Sequence, residues 1–96
     1  MLGFAKQFLA GEMGVIAVSR KLIAFYGVEP EIEALLYIFS GIHSETDALP
    51  VGDERELWDP EALKREDIKI AAAEQKWARR GIEAATKLVR LLESSS

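Results

Sequence analysis

Acidic side chains are concentrated in one connection of this chain, where they could bind a basic partner. Residues 43–61 contain seven acidic residues and one basic residue, Arg55. Carboxylates beside a tryptophan have the composition of a protein-binding hot spot with a charged rim. Such a rim speeds encounter with a basic partner and adds specificity. The predicted contact set is Glu45, Asp47, Asp53, Glu54, Glu56 and Trp58.

The same acids also have a simpler structural interpretation. Asp47 and Asp53 can form turns in a linker that contains proline and glycine, and Asp59 can cap the helix that follows. The other acids would then be solvated or form weak surface pairs with residues 62–93, where eight bases outnumber five acids. Both interpretations stay open at the level of the sequence.

A second set of polar residues is predicted to form a structural network within the helices: Glu12, Arg20, His43, Asp67 and Glu74. Because buried charges need partners, we expect Arg20 to pair with one of these acids while the others reach the rim of the core. The alternative is a metal centre built from the acids and the histidine. Helical di-iron bundles use Glu-x-x-His pairs, but this chain has no such pair and a single histidine. We therefore expect neither a metal nor another cofactor.

Catalytic motifs are missing from the sequence. There is no cysteine for thiolate chemistry, and neither Gly-x-x-x-x-Gly-Lys nor Gly-x-Gly-x-x-Gly occurs. The acid spacing with which all-helical nucleotide pyrophosphatases hold magnesium across two helices is also absent. We expect a protein that is not an enzyme.

Length and charge restrict the class of protein further. A chain of 96 residues makes one domain, and a formal net charge of −4 argues against nucleic-acid binding, which needs a basic face. Charged residues interrupt every apolar run near the N-terminus well before the roughly 20 residues that a membrane span needs. We expect a cytoplasmic protein that does not bind membranes.

Helices must position these side chains, and the apolar spacing and cap signals divide the chain into four segments. The prediction is a helix over residues 2–26, a helix over 30–40, the acidic linker over 43–59 and a helix over 60–93. Gly11 and Gly14 mark either a close helix contact or a kink in the first helix, and Gly27 is its end signal. Long helices joined by a polar linker form an antiparallel bundle, so we predict an all-α bundle of three to four helices.

The last predicted helix carries a heptad-like apolar seam from Leu63 to Leu91. Such a helix would be on the order of 50 Å long at about 1.5 Å per residue. It would overhang its partners unless it bends near Gly81 or packs against another chain. The seam is therefore also a candidate interface for a homodimer.

Three strings carry a resemblance over most of the chain: "FLAGEMGVIAVSRKL", "HSETDALPVGDERELW" and "ALKREDIKIAAAEQ". They are similar to those of an uncharacterised family of small bacterial proteins with a Ser-Glu-Thr-Asp-x-Leu-Pro-x-Gly linker. The family pattern has an acid where this chain has Lys69. The resemblance implies a bacterial accessory protein, with an immunity partner of a secreted toxin as one such role.

Two functional hypotheses follow from the sequence. The first is a noncatalytic protein-binding domain that neutralises a basic toxin domain through the acidic linker. The second is a self-associating structural or regulatory protein that dimerises through the last helix.

Overall fold

Helices make up all regular structure in the residues that the computed structural model describes, 1–25 and 28–94. Four α-helices and one 3₁₀ helix follow one another in these ranges, without a strand. They are α1 (Leu2–Leu9), α2 (Val15–Leu22), α3 (Pro30–Thr46), the 3₁₀ helix (Gly52–Leu57) and α4 (Pro60–Ser94). The predicted all-α class is confirmed.

The structure contains two helices, α1 and α2, where one was predicted over residues 2–26. Gly11 has φ +81°, a left-handed conformation that glycine adopts without the steric cost of a Cβ. Gly14 then lies in extended backbone immediately before α2. The first predicted helix is therefore broken at these glycines, and Gly14 also lies at a close contact with Glu74 of α4, so both alternatives hold. The predicted end signal, Gly27, lies outside the described residues.

α3 continues past its predicted end and through Gly41. One exposed glycine costs only about 1 kcal/mol relative to alanine in a helix. Ile42 and Thr46 are buried in the following turns, and the Thr46 hydroxyl donates a hydrogen bond to the Ile42 carbonyl oxygen at 2.7 Å. This burial extends the helix, so His43 and Glu45 belong to α3 and not to the linker.

α4 begins at the predicted cap. The Asp59 carboxylate accepts a hydrogen bond from the Ala62 N–H at 3.3 Å, and Pro60 is the first helical residue. The predicted apolar seam packs within the chain at its C-terminal half, whereas no residue over 60–80 is buried. The buried residues of α4 are Gly81, Ala84, Ala85 and Leu88.

The hydrophobic core draws side chains from all four α-helices. α3 and α4 run in opposite directions along it. Glu45 near the end of α3 contacts Lys76, whereas Glu31 near its start lines a cavity with Lys87 and Arg90 of α4. Earlier in α4, Ile70, Ala73 and Trp77 pack against the edge of this core, and Asp67 holds the 3₁₀ helix beside α4.

Candidate protein-binding site

Arg20, in the last turn of α2, anchors the connection between α3 and the 3₁₀ helix. Its Nη2 donates to the carbonyl oxygens of Leu49 at 2.8 Å and Thr46 at 3.4 Å. Its Nη1 donates to the Glu54 carboxylate at 2.7 Å. One guanidinium group therefore ties α2 to the end of α3, to the linker and to the 3₁₀ helix.

The predicted pairing of Arg20 within the polar network is wrong. Its ion-pair partner is Glu54, which the sequence assigned to the partner-binding set. Glu54 also accepts a hydrogen bond from the Val51 N–H at 2.9 Å. The Arg20 guanidinium and this backbone N–H lower the pKa of the Glu54 carboxyl, so Glu54 stays charged and is engaged within the fold.

Arg55, the one basic residue of the acidic stretch, is turned toward α4. It makes a two-pronged ion pair with Asp67, with Nη1 and Nη2 donating at 2.7 and 3.1 Å. Its Nη1 also donates to the Pro50 carbonyl oxygen at 3.2 Å. The pair raises the pKa of the Arg55 guanidinium and lowers the pKa of the Asp67 carboxyl. Asp67 is exposed on α4 and stabilises the 3₁₀ helix rather than the core.

Glu45 is also engaged within the chain. Its carboxylate accepts hydrogen bonds from Lys76 Nζ and from the Trp77 indole N–H. Both donors lower the pKa of Glu45. This contact fastens the end of α3 to the middle of α4 and leaves Glu45 less available for a partner than the sequence suggested.

Glu74 caps a helix that is far away in the sequence. Its carboxylate accepts hydrogen bonds from the Val15 N–H at 2.9 Å and the Ile16 N–H at 3.3 Å. These are free donors of the first turn of α2, where negative charge is favourable. Gly14 makes room for the carboxylate, because a Cβ at Gly14 would lie 2.6 Å from the nearer Glu74 oxygen.

The two remaining members of the predicted polar network do not join these contacts. Glu12 is exposed in the connection between α1 and α2 and forms no ion pair within the described residues. His43 is partly buried on α3, and its Nδ1 is buried without a hydrogen-bond partner in the same ranges. The network is therefore a set of separate contacts that join neighbouring elements.

Two acids of the 3₁₀ helix remain unpaired in the described part of the chain. Asp53 and Glu56 are exposed and form no hydrogen bond or ion pair through their side chains. They are three residues apart, and side chains at this spacing eclipse one another on a 3₁₀ helix. Leu57 next to them is 90% exposed, and Trp58 is 37% exposed. We call Asp53, Glu56, Leu57 and Trp58 the acidic patch.

The acidic patch lacks three acids of the predicted contact set, Glu45, Asp47 and Glu54, and adds Leu57; Glu45 and Glu54 are engaged within the chain. Asp47 is exposed with an unpaired carboxylate in the described ranges, but its carbonyl oxygen lies at 3.5 Å from Arg20 Nη2 on the anchored side of the linker. Leu57 was missing from the prediction. The signal that could have identified it is a leucine that lies directly between an acid, Glu56, and Trp58.

Within residues 1–25 and 28–94, no three histidine or acidic side chains group together as metal ligands would. None of the helices in these ranges combines the length and the apolar character that crossing a membrane requires. Comparisons of the sequence with protein-family models, with curated proteins and with solved structures find no match.

Proposed function

We propose that this chain is a noncatalytic protein-binding domain whose acidic patch binds a basic partner protein. The observation that carries the proposal is the exposure of Leu57, 90% of whose surface is open to solvent beside two unpaired carboxylates of the described chain. An apolar side chain with a charged rim matches the anatomy of protein interfaces. The antiparallel helix bundle acts in this proposal as a rigid support.

Anchoring of the linker supports the proposal, because it reduces the entropy that binding would cost. Arg20 fixes the linker through Leu49 and Glu54, and Arg55 fixes the 3₁₀ helix to Asp67. A loop held in place before association loses less conformational freedom when a partner binds. The acidic patch flanks the anchoring residues Glu54 and Arg55 on both sides in the sequence.

The distribution of charge supports a basic partner. The only base of the acidic stretch, Arg55, is directed at Asp67, so it does not neutralise the carboxylates of Asp53 and Glu56. Unpaired surface charges of one sign attract a partner of the opposite sign and raise the association rate. A toxin domain that acts on nucleic acid is basic for its own function, and an immunity protein that blocks such a domain is the role that we propose.

Affinity capture from a lysate of the source organism, at low and moderate salt, tests the proposal. The variant D53K/E56K raises the formal net charge from −4 to 0. The control E12K/E33K changes the net charge equally at two exposed acids that have no ion pair in the described ranges. We expect the wild type and the control to capture one basic protein. D53K/E56K should bind this protein at least about tenfold more weakly.

Two further results are required. Capture should weaken as salt rises, because exposed charges are screened beyond roughly 10 Å at 0.1 M salt. Leu57→Ser should weaken capture without lowering the urea midpoint, since this side chain contributes little to the core. Undiminished capture of the partner by D53K/E56K would show that the acidic patch is not the binding surface.

A further inference from the structure

An open groove runs between α3 and α4, far from the acidic patch. It consists of two cavities of about 430 and 310 Å³ that share Leu35 and Lys87 among their lining residues. The apolar lining comes from both helices: Leu35, Ile38, Ala84 and Leu91. Leu35, Ile38 and Leu91 remain partly exposed in the described chain, whereas Ala84 is buried.

The two walls of the groove carry opposite charges at its larger cavity, whereas α4 places both Arg80 and Glu83 along the smaller one. Glu31 lines the larger cavity from α3. Lys87 and Arg90 line the same cavity from α4. None of Glu31, Lys87 and Arg90 forms an ion pair in the part of the chain that the structure describes. The groove therefore offers an unpaired anion on one wall and unpaired cations on the other.

We infer that a second copy of this chain covers the groove in a two-fold symmetric dimer. A two-fold interface joins the same surface of both copies and must be complementary to itself. A groove that has Glu31 on one wall and Lys87 and Arg90 opposite it meets this condition when α3 of each copy lies over α4 of the other.

The charges select one orientation of the two-fold axis. If the axis runs parallel to the helices, each Glu31 faces Lys87 and Arg90 of the other copy, because these three residues line the same cavity. If the axis runs across the helices, α4 lies over α4 and the cations face each other. Like charges in close contact oppose association, so the parallel axis is favoured.

This interface takes the place of the C-terminal half of the apolar seam of α4 as the dimer surface. The C-terminal half of the seam, including Ala84 and Leu88, is buried within the chain. Ala84 and Leu88 are therefore not free to pair with another copy, whereas Leu91, the last residue of the seam, lines the groove. Lys87 and Arg90 lie on the exposed side of the same helix, and this side is the one that the groove presents.

Charge-swapped chains test the dimer by sedimentation velocity and native mass spectrometry. E31K places like charges at both symmetry-related contacts, as does K87E/R90E. Each variant alone should dimerise at least about tenfold more weakly than the wild type. A mixture of the two variants should restore dimerisation as a heterodimer. In that heterodimer the lysine introduced at position 31 of one copy faces the glutamates introduced at positions 87 and 90 of the other, while the second contact keeps its native pairing.

Matched controls separate this interface from general charge effects. E33K lies in the same helix turn as Glu31, and R65E removes an exposed base of α4 that lies outside the groove. Both should dimerise like the wild type, as should D53K/E56K. Restoration in the mixture also shows that the variants fold. A wild type that stays monomeric at the highest concentration reached, reversals without effect, or a mixture that stays monomeric would overturn the inference.

Discussion

The contact of α4 with α1 and α2 at Gly81 gives a prediction whose size follows from the structure. A Cβ at Gly81 would lie 2.6 Å from Val15 Cγ2 and 3.3 Å from Phe8 Cζ. Val15 is buried and β-branched, so its side chain cannot turn away at low cost. Gly81→Ala gains up to about 1 kcal/mol of helix propensity but incurs an overpacking cost of typically about 1–3 kcal/mol.

Gly41→Ala is the matched control, because Gly41 also lies inside a helix and no atom would come within 4 Å of its Cβ. The propensity gain is common to both variants and cancels in their difference. Gly81→Ala should therefore be less stable than Gly41→Ala by about 1–3 kcal/mol. Urea denaturation followed by circular dichroism measures this difference. Equal stability of the two variants would refute close packing of α4 against α2 at this position.

The remaining predictions concern the contacts that join the elements. Glu74→Ala should lower the free energy of unfolding by about 1 kcal/mol, the usual effect of losing a helix cap. Gly14→Ala displaces the same carboxylate. It should therefore lower the free energy of unfolding less in the Glu74→Ala background than in the wild type. Additive urea midpoints for these two substitutions would contradict the shared contact. The urea midpoint should also fall as the pH drops below the ordinary carboxyl pKa values of 4.5 and 3.8, because three exposed carboxyls have lowered pKa values in the folded state and lose their stabilising contribution on protonation. These three carboxyls belong to Glu45, Glu54 and Asp67. Substituting all three with neutral amides should flatten the pH dependence of the urea midpoint. An unchanged dependence would contradict the stabilising role of their ion pairs.

Local sequence signals predicted the parts of the fold that depend on local chemistry. The Asp59–Pro60 start of α4 is confirmed, because a capping side chain and a proline act within one turn. Gly11 and Gly14 were identified as either a contact point or a break, and only tertiary packing decides between these. Gly14 is needed where Glu74 approaches from another helix, and no spacing within α2 encodes that approach.

The candidate site was harder to predict, because ion pairing depends on which elements come together. Glu54 and Glu56 are both glutamates next to Arg55 in the sequence. Arg20 from α2 nevertheless pairs with Glu54, whereas Glu56 remains unpaired within the described residues. Asp67 was predicted at the core seam but pairs with Arg55 of the 3₁₀ helix. A count of acids in a linker therefore overestimates the charge that remains for a partner.

The distance between the proposed dimer interface and the acidic patch determines whether the dimer can bind a basic partner through both of its acidic patches. The 3₁₀ helix is attached to α4 at Asp67, and the groove is lined at Lys87. Twenty residues of helix at about 1.5 Å per residue separate them by roughly 30 Å, so both surfaces can be occupied together. A two-fold axis parallel to the helices keeps both acidic patches at the same end of the dimer. A partner with two basic surfaces would then bind both patches with avidity, whereas a partner with one would bind each patch independently and would be unaffected by the E31K substitution.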